Sequence, residues 1–236
     1  MRTGVAGFQP ERLKQARQVV GMNKTVLAKK VDRSVGTISK WESGQQSPEG
    51  ASLAALSEIF QLPMHWFTRP VPSGADGAYF FRSNTTATQT ARTVAEVRLQ
   101  WLQELSQTFQ QWMSWPALNL VDFEETDLFQ ITDDQIEELA ETCRIHWGLG
   151  LGPVSNVIHA MESAGVICAR DFIGHVKMDG VSTWHQVEGR PYVFIASDKA
   201  NGIRNRFDSA HELGHLLMHQ HIDKSAYQEN YALIEI

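Results

Sequence analysis

Apolar side chains recur at three- and four-residue spacing through most of this chain, the period of helices with one buried face. In PERLKQARQVVG, Leu13, Ala16, Val19 and Val20 keep that period; Pro10 suits a first helical position and Gly21 a stop. KTVLAKKV follows, with Asn23 as cap and Val26, Leu27 and Val31 facing inward. DRS makes a turn, and Ser34 caps VGTISKWE, which Ile38 and Trp41 anchor. A fourth helix, PEGASLAALSEIF, sets Leu53, Leu56 and Ile59 on one side, and LPMHWF closes the unit. RPVPSGADG, residues 69–77, has the composition of a linker.

Beyond the linker, Val94, Val97, Trp101, Leu102, Leu105, Phe109, Trp112 and Met113 predict a long helix from about Ala87 to Met113, ended by Pro116. It needs a partner surface, either the body of the protein or a second copy of the chain. ITDDQIEELAETCRIHWG predicts a helix opened by a Thr132/Gln135 capping box and closed by Gly148. GPVSNVIHAMESAG repeats the pattern from Pro153 to Gly165. GVICARD and PYVFIAS are apolar and β-branched, so they read as buried strands. The expected fold is a mainly α head joined to an α+β body with a small sheet. The domains are 1–69, a linker with the long helix over 70–130, and 131–236.

Charge divides the chain in the same way. Residues 1–70 hold ten Lys/Arg against five Asp/Glu, and residues 71–236 hold eleven against twenty-two. A basic head on an acidic body predicts that the head alone meets a polyanion. Cys143 and Cys168 form neither a disulfide framework nor a CxxC pair, which points to a reducing compartment. No signal-peptide core and no run of about 18 apolar residues is found, so the cytoplasm is the expected location.

The short helices and the tight turn before VGTISKWESG resemble the XRE/lambda-repressor-type helix-turn-helix over about residues 8–67, with Leu27, Ala28, Val31, Ile38, Trp41, Glu42 and Gly44 at pattern positions. The resemblance implies binding of double-stranded DNA, the second motif helix entering the major groove. Val35, Gly36, Thr37 and Lys40 then face base edges, and Lys24 and Ser39 the phosphates. Val35 and Gly36 carry no hydrogen-bonding side chain, although Val35 can press on a thymine methyl.

Chemistry concentrates in RFDSAHELGHLLMHQH, residues 206–221. Residues i and i+4 share a helix face about 6 Å apart, so His211 and His215 can pinch one zinc ion. Glu212, beside the first histidine, can reach a water as general base, the H-E-x-x-H arrangement of a metallopeptidase. Leu213, Leu216 and Leu217 hold the helix in the core. His221 stands at the spacing of a third ligand in HExxHxxGxxH enzymes, but Met218 occupies the place of their helix-breaking glycine. An unbroken helix carries His219 about 12 Å and His221 about 15 Å along the axis from His211, so both read as exposed residues or as supports behind the ligands. A glutamate from a following helix is the better third ligand, and YQENYALIEI offers Glu229 and Glu235.

RFDSAHELGHLLMH, the preceding GRPYVFIASDK, and ITDDQIEELAETCRIHWGLGLGPVSNVIHAMESAGVICAR together resemble the ImmA/IrrE family of metallo-endopeptidases over about residues 130–236. FFRS at 80–83 is similar to the inter-domain segment of long members that carry an XRE-type head. The resemblance implies a zincin-like domain with Zn on His211, His215 and Glu235, Glu212 as catalytic base, and a regulatory protein, often a repressor, as substrate. It also implies a run after Glu235 that this sequence lacks, as though the domain were cut short. Two readings follow: a DNA-binding transcriptional regulator with a zinc endopeptidase domain, or a non-proteolytic regulator whose zincin-like domain serves as sensor or dimerisation module.

Overall fold

The structure is a computed structural model that describes residues 4–72, 77–83, 88–123, 130–174, 178–198, 201–222, 224–230 and 234. Two compact units divide at Ser73 and Gly74.

The first unit contains α1 (Pro10–Val19), α2 (Lys24–Lys30), α3 (Val35–Glu42), α4 (Gly50–Phe60) and a 3-10 turn at Met64–Thr68. Local chemistry sets these boundaries. The Asn23 side chain accepts the Val26 amide at 2.9 Å, and the Ser34 hydroxyl accepts the Thr37 amide at 3.1 Å. Leu13, Leu27, Ile38, Trp41, Leu56 and Phe67 form the shared core. Glu42, nearly buried, takes the Arg17 guanidinium on both oxygens and so ties α3 to α1. Two residues expected inside lie outside. Val20 is the residue that ends α1 and is 55% exposed, while Val26 is 41% exposed on the outer side of α2.

The second unit is built on a four-stranded sheet of β1 (Tyr79–Ser83), β2 (Ile167–Asp171), β3 (Met178–His185) and β4 (Arg190–Ala196), in the order β1-β3-β4-β2. β1 and β4 lie antiparallel to β3, and β2 lies parallel to β4. Its helices are α5 (Gln89–Phe109), α6 (Asp133–His146), α7 (Val157–Ser163), α8 (Gly202–Met218) and α9 (Lys224–Glu229).

Strand alternation gives the sheet two working faces. Tyr192 and Phe194 join Val94, Ala95 and Leu99 of α5, whereas Val193 and Ile195 pack with Leu216 of α8 and Met161 of α7. The long helix thus covers the sheet of its own unit. It stops at Phe109, earlier than expected, and its late apolar residues are not buried: Trp112, beyond its end, is 74% exposed. Leu105, Phe109 and Met113 line an open groove of about 490 Å³ beside Val166 and Ile167.

The Thr132/Gln135 capping box is present and Gly148 takes positive φ just past α6. α7 begins later than Pro153 suggests, because Asn156 caps it by accepting the His159 amide at 3.0 Å. β1 and β3 are strands that the apolar pattern does not predict. All eight residues of β3 are buried, polar ones included, so no alternation marks it. Two of those polar groups find partners from distant segments: Thr183 Oγ1 donates to the Ala78 carbonyl at 2.6 Å, and Trp184 Nε1 to the Leu216 carbonyl at 3.0 Å.

Candidate metal centre

α8 crosses the face of the sheet formed by Val193 and Ile195. Asn201 opens it, its side chain accepting the amides of Ile203 and Arg204. Leu216 and Leu217 are buried, which fixes the rotation of the helix about its axis. His211, His215 and His219 line the adjoining stripe of the helix, and Glu212 lies between that stripe and Leu216, facing the sheet.

His211 and His215 converge. Their Nε2 atoms are 2.9 Å apart and their rings meet edge to face, with centroids 4.5 Å apart. Tetrahedral zinc with bonds of about 2.0–2.1 Å places two nitrogen ligands about 3.4 Å apart, so a small opening of this pair admits the ion. His215 is buried, and the Phe80 ring of β1 lies parallel to it at 5.3 Å with 10° between planes. Phe80 in turn meets Tyr227 of α9 edge-on at 5.0 Å, and the Tyr227 hydroxyl accepts the Phe81 amide at 3.2 Å. β1 and α9 therefore back the histidine pair.

Glu212 is 0% exposed and lies across β3 at Gly180. A Cβ built on Gly180 would stand 2.6 Å from Glu212 Oε1 and 3.2 Å from its Cδ. Only glycine leaves that space for the carboxylate. The preceding residue, Asp179, is also buried and receives Arg204 from the first turn of α8, Nη2 to Oδ2 at 2.7 Å and Nε to Oδ1 at 3.3 Å. Arg204 also lies 4.0 Å from buried Asp208 one turn on, and these carboxylates raise its pKa above the ordinary arginine value. Two successive β3 residues thus hold α8, one at its start and one at Glu212. Neither Gly180 nor Asp179 was singled out in the sequence, since the contact joins segments 32 residues apart in the case of Gly180 and Glu212.

Met218 does not keep the helix running. α8 ends there, His219 closes the last turn with its amide on the His215 carbonyl at 3.0 Å, and a turn follows. His221 is exposed in that turn. His219 folds back instead, buried, with Nδ1 3.1 Å from Nδ1 of His215. Glu229 is exposed near the end of α9, and Glu235 lies outside the described residues. Among the described residues no three His, Cys, Asp or Glu converge as a cage. The donor set in view is two imidazoles beside a buried carboxylate. That fits zinc, with further ligands to come from elsewhere.

In the first unit, Val35, Gly36 and Lys40 are exposed along α3, and Thr37 is half-buried with its hydroxyl 2.9 Å from that of Ser34. Lys24 is partly committed, its ammonium lying 3.4 Å from Ser39 Oγ and 3.4 Å from Glu42. Four of these positions thus form one surface at the start and outer side of α3. Lys24 and Ser39 flank it as a hydrogen-bonded pair.

Residues 13–67 match the family model of the helix-turn-helix, and residues 165–236 match that of the IrrE N-terminal-like domain. The chain therefore joins a helix-turn-helix unit to an IrrE N-terminal-like domain. The second match begins at Gly165, ahead of β2, and leaves α6 and α7 outside it. No curated protein and no solved structure matches the chain. No helix among the described residues is long and apolar enough to cross a membrane.

Proposed function

We propose that this chain is a DNA-binding transcriptional regulator whose body is a zinc-dependent endopeptidase acting on a regulatory protein such as a repressor. The observation that carries the reading is the setting of Glu212: a fully buried carboxylate, seated on Gly180, next in sequence to one of two histidines whose Nε2 atoms converge at 2.9 Å. A helix that merely displayed polar residues would not bury this acid or hold a glycine opposite it.

His211 and His215 would hold the ion, with Glu235 as the third protein ligand. Zinc, when bound, supplies Lewis acidity to the scissile carbonyl and the attacking water. Glu212 accepts the water proton as the oxygen bonds to the carbonyl carbon, and returns it to the nitrogen as the C–N bond breaks. Phe80 keeps His215 from swinging out of line, and the Arg204–Asp179 pair keeps β3 and α8 in register. In the head, α3 would enter the major groove with Val35, Gly36, Thr37 and Lys40 toward the bases, while Lys24 and Ser39 meet phosphate. A chain that couples the two units suits regulation of transcription, with proteolysis as its means.

The test is cleavage of a quenched-fluorescence peptide library by the zinc-loaded chain. Wild type should cleave, and Glu212→Gln carrying equal zinc should be slower by about 10²–10⁴-fold. Equal rates for the two would overturn the assignment of Glu212 and the endopeptidase reading with it.

A further inference from the structure

The three histidines of α8 and its end form a chain of ring contacts. Nε2 of His211 faces Nε2 of His215 at 2.9 Å, and Nδ1 of His215 faces Nδ1 of His219 at 3.1 Å. A neutral imidazole carries one N–H and one lone pair, so each nitrogen-to-nitrogen contact at this distance needs a hydrogen on one side only. If both Nε2 atoms offer lone pairs to one ion, the proton of His215 must sit on Nδ1. The acceptor placed there is Nδ1 of His219.

We propose that His219 is a positioning residue for the metal centre: its Nδ1 accepts the Nδ1–H of His215 and thereby holds the His215 ring as an Nε2 lone-pair donor. This rests on the reading of His211 and His215 as metal ligands. Its own proton then lies on Nε2. The geometry supports a dedicated role. His219 is 4% exposed at a helix end, where a histidine usually reaches water. One ring, Phe80, packs on both members of the pair, 5.3 Å from His215 and 5.8 Å from His219, so neither imidazole turns freely. The end of α8 at Met218 makes this possible, since His219 leaves the helix just where its side chain can fold back. Groups behind a metal ligand fix its tautomer and orientation, and their loss commonly weakens the metal by about 10–100-fold.

The experiment is zinc affinity of the full chain, by competition with a chromophoric chelator, for wild type, His219→Phe and His219→Asn. Phenylalanine keeps a ring against Phe80 and deletes the acceptor; asparagine gives up the ring and restores an acceptor oxygen. The expected result is a loss of about 10–100-fold in the Phe variant and partial recovery in the Asn variant. Equal affinity in all three, or the same loss in both variants, overturns the proposal while leaving the metal reading in place. A wild type that binds no zinc overturns both. Histidine-ring ¹⁵N–¹H correlation spectra of the zinc-loaded wild type give an independent measurement that needs no variant to fold. His215 should carry its proton on Nδ1 and His219 on Nε2, and a proton on Nδ1 of His219 overturns the proposal.

Discussion

Gly180 and Glu212 are in contact across β3 and α8, so closely that a Cβ on Gly180 would stand 2.6 Å from Oε1 of the glutamate. Alanine at this position must therefore move the carboxylate, because β3 is held on both sides by β1 and β4 and cannot retreat. Gly180→Ala should fold and keep its zinc, since neither histidine is touched. Hydrolysis should fall by about 10²-fold, the usual cost of misplacing a catalytic group by about 1 Å. Metal analysis and peptide cleavage on the same preparation check this. Loss of zinc together with activity would show that Gly180 supports the helix as a whole.

The metal reading separates the four histidines of residues 211–221. His211→Ala and His215→Ala should each lose zinc through desalting, because each removes one of two converging nitrogens. His221→Ala should keep it, because His221 is exposed in the turn after α8. Glu212→Gln should keep it as well, on the proposed role of Glu212 as base and not ligand. Inductively coupled plasma analysis decides among these outcomes. Zinc retained in both His211→Ala and His215→Ala would move the site elsewhere.

Local signals in this sequence were readable because they act within a few residues. The caps Asn23 and Ser34, the Thr132/Gln135 box and the positive-φ Gly148 each work inside one turn. The pairing of His211 with His215 follows from helix geometry alone. What stayed hidden depends on partners far along the chain. β3 reads as Met-Asp-Gly-Val-Ser-Thr-Trp-His, with no period of two, because helices cover both faces and Thr183, Trp184 and Asp179 find partners in Ala78, Leu216 and Arg204. The sequence pattern puts His219 on an unbroken helix, whereas α8 stops at Met218 and the imidazole folds back under Phe80. The apolar period of α5 was real but longer than the sheet beneath it, so Leu105 and Phe109 emerge at its end.

Burial should silence both thiols. Cys143 is pushed up to about 11 by burial, and Cys168 to about 12 by burial first and by the Glu162 charge second. A raised thiol pKa means less thiolate, and only the thiolate is the nucleophile. At pH 8 the native thiolate fraction is about 10⁻³ for Cys143 and about 10⁻⁴ for Cys168, against about 10⁻¹ for an unfolded cysteine of ordinary pKa. Iodoacetamide should thus label the native chain about 100–1000-fold more slowly than the urea-unfolded chain, and native labelling should rise about tenfold per pH unit up to pH 10. Mass spectrometry of the labelled peptides resolves the two sites. Fast labelling of Cys168 at pH 8 would mean that its partial burial does not hold the thiol in its neutral form.

The helix-turn-helix surface makes a graded prediction, because its basic residues are not equally available. Lys40 is exposed on α3, whereas the Lys24 ammonium is shared with Glu42 and Ser39 at 3.4 Å each. Moving Lys24 to a phosphate would sacrifice those contacts, so its net gain on DNA is smaller. In gel-shift titrations of the full chain on duplex DNA, Lys40→Ala should weaken binding more than Lys24→Ala. If Lys40 meets a phosphate, its loss should also reduce the slope of log affinity against log salt by about one. Should it meet a base edge instead, sequence preference should change as well. Thr37→Ala should act mainly on preference, since Thr37 carries the first polar side chain within α3, its hydroxyl now 2.9 Å from that of the capping Ser34. Val35→Ser removes the apolar contact available to a thymine methyl, and should relax selection for A·T at one position with little effect on the salt slope. Unchanged binding in a Thr37/Lys40 double alanine variant would remove α3 from the interface.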